Sequence, residues 1–223
     1  IVIGSDASVS NAVAEQARRK AKPGASVVRI GGADRYETSL KIARYGWDGL
    51  SPESVFVATG ANFPDALAAG AAAGGQGVPM LLVNGGAQSA SPGVRSFIEN
   101  AGSPRVVITG SEASVSQGVE RSLRSIASVS RIAGRDRFET SAQIADEFGA
   151  PGNAAYYASG HNFPDGLTGG VAAAVAGAPL MLSHPTCLPE SVARTSVRIQ
   201  PYARYVIGST ASLSEGVRLG EVC

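Results

Sequence analysis

Short β-branched and aliphatic runs alternate along the chain with stretches whose apolar positions recur at helical spacing. The spacing predicts strands near 27–30, 55–58, 78–83 and 105–108, followed by helices near 34–45, 63–74, 92–100 and 115–126. These make four βα steps. Strands that are apolar nearly throughout, with helices between them, call for a parallel sheet covered on both faces, so the fold class is α/β.

The pattern then returns with a period of about one hundred residues, which suits a small domain rather than a solenoid unit. Arg29-Ile30-Gly31-Gly32-Ala33-Asp34-Arg35-Tyr36-Glu37-Thr38 recurs as Arg131-Ile132-Ala133-Gly134-Arg135-Asp136-Arg137-Phe138-Glu139-Thr140. Asn62-Phe63-Pro64-Asp65-Ala66-Leu67 recurs as Asn162-Phe163-Pro164-Asp165-Gly166-Leu167. A third element occurs three times, beginning at Gly4, Gly110 and Gly208. The expected organisation is the tail of a preceding repeat in 1–26 and whole repeats in 27–128 and 129–223. The junctions at Lys22-Pro23-Gly24 and Ala127-Ser128 are too short for flexible linkers, so the repeats should pack on one another.

Composition narrows the function. With 44% hydrophobic residues the chain can bury a sizeable core, and its 28 glycines with only 6% aromatics favour close helix-to-sheet packing through small residues. A net charge of +1 supplies no field to gather nucleic acid, so no nucleic-acid partner is expected. No segment reaches the roughly 20 apolar residues of a membrane span. Cys187 and Cys223 are the only cysteines, which excludes a Cys-x-x-Cys metal or redox site. On the four-step pattern Cys187 lies at the carboxyl edge of its sheet and Cys223 ends a helix running the other way. A disulfide would require that helix to stop early, so unpaired thiols are the favoured expectation.

Helix capping accounts for much of the recurring polarity. Asp34-x-x-Glu37 and Asp136-x-x-Glu139 fit capping boxes in which the glutamate returns to the cap amide. Asn62 and Asn162 suit N-caps, with Asp65 and Asp165 near the positive helix end. Ser8, Ser114 and Ser212 suit caps of the third element. Arg35 and Arg137 do not fit this scheme, because a cation in the first helical turn opposes the macrodipole. Either they pair internally, with Asp65 or Asp165, or they meet an external anion. Thr38 and Thr140 offer hydroxyls one helical step on. Because loops leaving parallel strands emerge at one edge, all these segments should share a rim rich in helix N-termini and glycine amides, a setting for an anion.

Catalytic patterns are sparse. No His-Glu-x-x-His, Gly-x-Ser-x-Gly, phosphate loop, cofactor motif or metal-ligand pair is present. His161 and His184 occur in the second repeat only, facing Ala61 and Asn84 in the first. His161 beside Asp165 is the one place a hydrolase reading could rest. A recurring arginine rim without a recurring nucleophile or base favours multivalent binding over turnover, and the chain is expected not to be an enzyme.

The segment from Arg29 to Thr38, Asn62 to Leu67, Val-Pro-Met-Leu-Leu from Val78 and Ile-Thr-Gly-Ser from Ile108 together resemble the type 2 cell wall binding repeat of Gram-positive surface proteins. The resemblance implies repeats of Toprim-like or Rossmann-like topology, usually three in a pseudo-threefold arrangement. It also implies an extracellular, wall-associated module that holds an anionic cell wall polymer. No cofactor and no metal are expected. It maps binding onto Asp34, Arg35, Thr38, Asn62 and Asp65, and onto Asp136, Arg137, Thr140, Asn162 and Asp165. The other implied partner is a neighbouring repeat, from the same chain or another protomer.

Overall fold

The computed structural model describes residues 1–223. In chain order the elements are β1 (Val2–Ile3), α1 (Asn11–Lys20), β2 (Arg29–Ile30), α2 (Arg35–Trp47), β3 (Ser54–Thr59), α3 (Pro64–Gln76), β4 (Met80–Val83), α4 (Pro92–Asn100) and β5 (Arg105–Thr109). There follow α5 (Gln117–Arg124), β6 (Val129–Ile132), α6 (Arg137–Phe148), β7 (Ala155–Ser159), α7 (Pro164–Val175), β8 (Leu180–Ser183), α8 (Glu190–Ile199), β9 (Arg204–Val206) and α9 (Glu215–Leu219). Strict βα alternation and all-parallel pairing give the α/β fold that the apolar strands call for.

Sheet and repeat are out of step. The central sheet runs β4-β3-β5-β6, so β6, the opening strand of the second repeat, completes the sheet of the first. The same relation joins β1 to β2, while β8-β7-β9 carries no fourth strand. Strand β6 pairs with β5 over Val106–Thr109, and Arg131 on it fixes the loop that follows β5 by donating to the carbonyls of Gly110 (2.6 Å) and Val115 (2.8 Å).

Side chains from both repeats share cores. Leu67 and Ala71 of α3 lie in one apolar cluster with Phe138, Tyr157 and Leu182, and Phe56 of β3 meets Phe148 of α6 edge-on at 4.9 Å. Small residues permit this approach. A Cβ on Gly74 would come within 2.7 Å of the Ala174 Cβ, and one on Gly166 within 2.7 Å of Leu67 Cδ1.

The termini correct two expectations. Helix α9 stops after five residues, Gly220 turns the chain at φ +80°, and Val222 then bridges Leu188 in parallel. This brings the Cα atoms of Cys187 and Cys223 to 5.3 Å, and they form a disulfide. The early helix stop supplies the geometry that a full-length helix would deny. The caps are also shifted. Pro64 and Pro164 take the first helical position, so Phe63 and Phe163, not the asparagines, are the N-caps, with no side-chain cap bond. In the third element a tight turn intervenes, and Ser10, Ser116 and Ser214 cap in place of Ser8, Ser114 and Ser212.

Candidate binding site

Asp34 and Asp136 cap α2 and α6 as the sequence predicts, accepting from the amides of Glu37 and Glu139 at 2.8 Å. The glutamates return one residue further back than expected, to the amides of Ala33 (2.6 Å) and Arg135 (2.7 Å). Thr38 and Thr140 brace the same turns. Each hydroxyl donates to the capping aspartate's carbonyl and accepts from the amide of Gly32 or Gly134. The Asp-Arg-x-x-Thr segment is thus a self-bonded turn that sets the arginine at the mouth of a helix.

Arg35 and Arg137 are both exposed, and neither belongs to an ion pair. Each donates one N–H across to the next loop of its own repeat, Arg35 Nη1 to Gly60 O at 2.7 Å and Arg137 Nη1 to Gly160 O at 2.6 Å. The alternative of an internal ion pair is therefore not what forms. An enclosed structural arginine, as a purely assembly-building module would have, is not what forms either.

Because β6 belongs to the first repeat's sheet, the recurring segments meet across the repeat boundary. A cleft of about 230 Å³ is lined by Asn62, Asp65 and Ser114 from the first repeat and by Arg135, Asp136, Arg137 and Thr140 from the second. Asp65 lies over Gly110 (φ +102°), where a Cβ would collide with its carboxylate. Burial raises its pKa, opposed by the Ser114 hydroxyl and the charge of Arg137. Asn62 makes no side-chain hydrogen bond and is exposed. The other copies form half-clefts. Asp34, Arg35 and Thr38 adjoin Ser5 and Ser8 with no Asn-Phe-Pro-Asp segment opposite, whereas Asp165 lies over Gly208 with no Asp-Arg-x-x-Thr segment opposite.

Three contributors escaped the sequence reading. Arg135 stands at the cleft and pairs with Glu139 at 2.9 Å, and Ser114 is freed from capping. Arg131 holds the Gly110 loop while pairing with Glu120 at 2.6 Å, which keeps that carboxyl below its usual range. The signal was present in Arg29 and Arg131, recurring one residue before each Ile. His161 makes no hydrogen bond to Asp165. Its Nε2 lies 3.2 Å from Nδ1 of His184, a pair the sequence reading did not find.

An α/β repeat protein whose polar loops converge on inter-repeat clefts at one sheet edge has the form of a binding module. Residues 29–120 and 131–218 match the cell wall binding domain 2 (CWB2) family, and the chain belongs to that family. It is similar to the amidase enhancer of Bacillus subtilis (strain 168), 29% identical over 97% of this chain and 28% of that protein. It is also similar to the N-acetylmuramoyl-L-alanine amidase LytC of the same organism, 28% identical over 97% of this chain and 42% of that one. The chain spans less than half the length of either relative. Among solved structures, Cwp8 from Clostridium difficile superposes with a TM-score of 0.82 at 27% identity, covering 97% of this chain and 36% of that one. Cwp6 from the same organism superposes at 0.75 and 26%, covering 86% and 31%. The chain is a cell wall binding module, and its place is outside the cell at the wall.

Proposed function

We propose that the cleft at the repeat junction grips acidic groups of an anionic cell wall polymer, and that the chain anchors the protein bearing it through several such contacts. The observation supporting this reading is Arg137, an exposed guanidinium without an ion pair, standing at the amino end of α6 with one N–H fixed on Gly160. An anion there meets a pre-oriented fork and the positive end of a helix. Arg35 plays the same part in the half-cleft, Asn62 and Asn162 offer amide donors, and Asp34, Asp136, Thr38 and Thr140 hold the arginines in place. Asp65 and Asp165 lie over Gly110 and Gly208 of the loop opposite. Weak single sites add through avidity.

We further propose that a neighbouring repeat, from the same chain or another protomer, completes the half-clefts. Its supports are the exposed apolar stripe of Phe163, Leu167, Val171 and Val175 on α7, and the groove of about 690 Å³ beside α2 and α3.

Sedimentation with isolated wall material tests the binding role. Arg137→Ala should weaken retention about 10-fold or more, Arg35→Ala less, and the double variant should remain in the supernatant. Walls extracted to remove their acidic polymer should fail to retain the unaltered protein. Undiminished retention of a folded double variant would remove the proposed role.

A further inference from the structure

We propose that His161 and His184 form a two-imidazole site for a first-row divalent cation, Zn²⁺ or Cu²⁺, built into the second repeat alone. The two residues are 23 apart in sequence, and parallel pairing of Ser159 with Ser183 brings the loops after β7 and β8 side by side. His161 Nε2 and His184 Nδ1 stand 3.2 Å apart. Two nitrogens bound to one tetrahedral zinc at about 2.0–2.1 Å lie about 3.3–3.4 Å from each other, so the separation already suits chelation and a tilt of the rings aims both nitrogens at one ion. In the metal-free pair one ring donates its N–H to the other; on metal binding that proton moves through solvent to the donor ring's own second nitrogen, which leaves both facing nitrogens free to ligate.

The fold does not require the pair. The first repeat has Ala61 and Asn84 at these positions and holds the same loops by the same bonds. Gly60 N reaches Val83 O and Gly160 N reaches Ser183 O, both at 2.9 Å. Ala61 N reaches Thr59 Oγ1 and His161 N reaches Ser159 Oγ, both at 3.2 Å. The rings are nonetheless held in place. Buried Phe138 packs its ring 4.5 Å from that of His184 and 6.2 Å from that of His161.

His161 is exposed and His184 half-buried, and no third His, Cys, Asp or Glu joins them, so water fills the remaining coordination positions. Cys187, three residues beyond His184, is held in its disulfide and offers no thiolate. The Arg137 guanidinium on Gly160 O adds opposing charge nearby, which makes the site exchangeable rather than permanent.

The chain has only these two histidines, so its imidazole resonances report on this site and no other. Zn²⁺ and Cu²⁺ are titrated into the full chain at about pH 7.5. Both histidine Cε1–H signals should move together with Zn²⁺ and saturate at one equivalent, and Cu²⁺ should bind more tightly than Zn²⁺. His161→Ala and His184→Asn restore the residues of the first repeat, and each should weaken binding at least about 10-fold. Movement of one signal only, no movement up to millimolar metal, or unchanged affinity in the variants would overturn the site. The first two outcomes are read on the unaltered protein and do not depend on the variants.

Discussion

Helices α3 and α7 hold the same place in their repeats and are entered through the same Asn-Phe-Pro-Asp-x-Leu segment, yet a face that α3 buries is one that α7 leaves exposed. Leu67 is 5% exposed and Leu167 54%; Ala71 is 1% exposed and Val171 66%. The difference lies in what stands opposite. Leu67 fits over Gly166 of the second repeat, whereas no such surface faces Leu167. Burial of this helix face is thus conferred by the neighbouring repeat, and the helix's own composition does not decide it.

Truncating the two leucines separates these environments most sharply. Leu67→Ala should cost about 2–5 kcal/mol in chemical denaturation, because it leaves a hole between the repeats. Leu167→Ala should stay within about 0.5 kcal/mol at dilute concentrations where no second copy meets α7, and a larger loss as concentration rises would show the neighbouring repeat covering it. Next comes the disulfide, which only the second repeat has. Its 36-residue separation allows at most about 4 kcal/mol of loop-closure stabilisation, so Cys187→Ser with Cys223→Ser should lower the unfolding midpoint. Hydrogen exchange should quicken around Leu188 and Val222 and leave β3 and β5 unchanged.

A smaller contrast sets the complete cleft against the half-cleft. Gly4 and Gly110 share a left-handed backbone, at φ +107° and +102°, so alanine strains either by about 1–3 kcal/mol. Only at Gly110 does the new methyl also meet Asp65, so Gly110→Ala should be the more destabilising in parallel denaturation curves. The smallest effect is electrostatic. The Asp65 pKa is raised by burial, so its contribution to stability is fully present below the unfolded value of about 3.9 and is lost as pH rises through the folded value. Asp65→Asn removes that dependence. Measured at about pH 4 and pH 7, the variant should gain on the unaltered protein at the higher pH.

Local physics was legible in the sequence. The βα alternation followed from the run of apolar strands, and Asp34 and Asp136 were readable as caps because capping depends on residues three apart. Non-local pairing was not. The passage of β6 into the preceding sheet, and with it the junction cleft, cannot be read from a repeat that looks complete within its own hundred residues. Asn62 was misplaced by one position because Pro64 fixes the first helical turn. The disulfide was disfavoured because nothing before Gly220 announces that α9 stops short. His161 and His184 become neighbours only once the register of β7 with β8 is known.

The crossing of β6 also has a mechanical side. A protein fastened to a wall is pulled upon, and between these repeats tension has no slack tether to straighten. It loads the ladder joining Val106–Thr109 to Val129–Ile132 and the α3 contact with the next repeat at once. Under stretch the module would resist as one body, with detachment of β6 as the step that lets the two halves come apart.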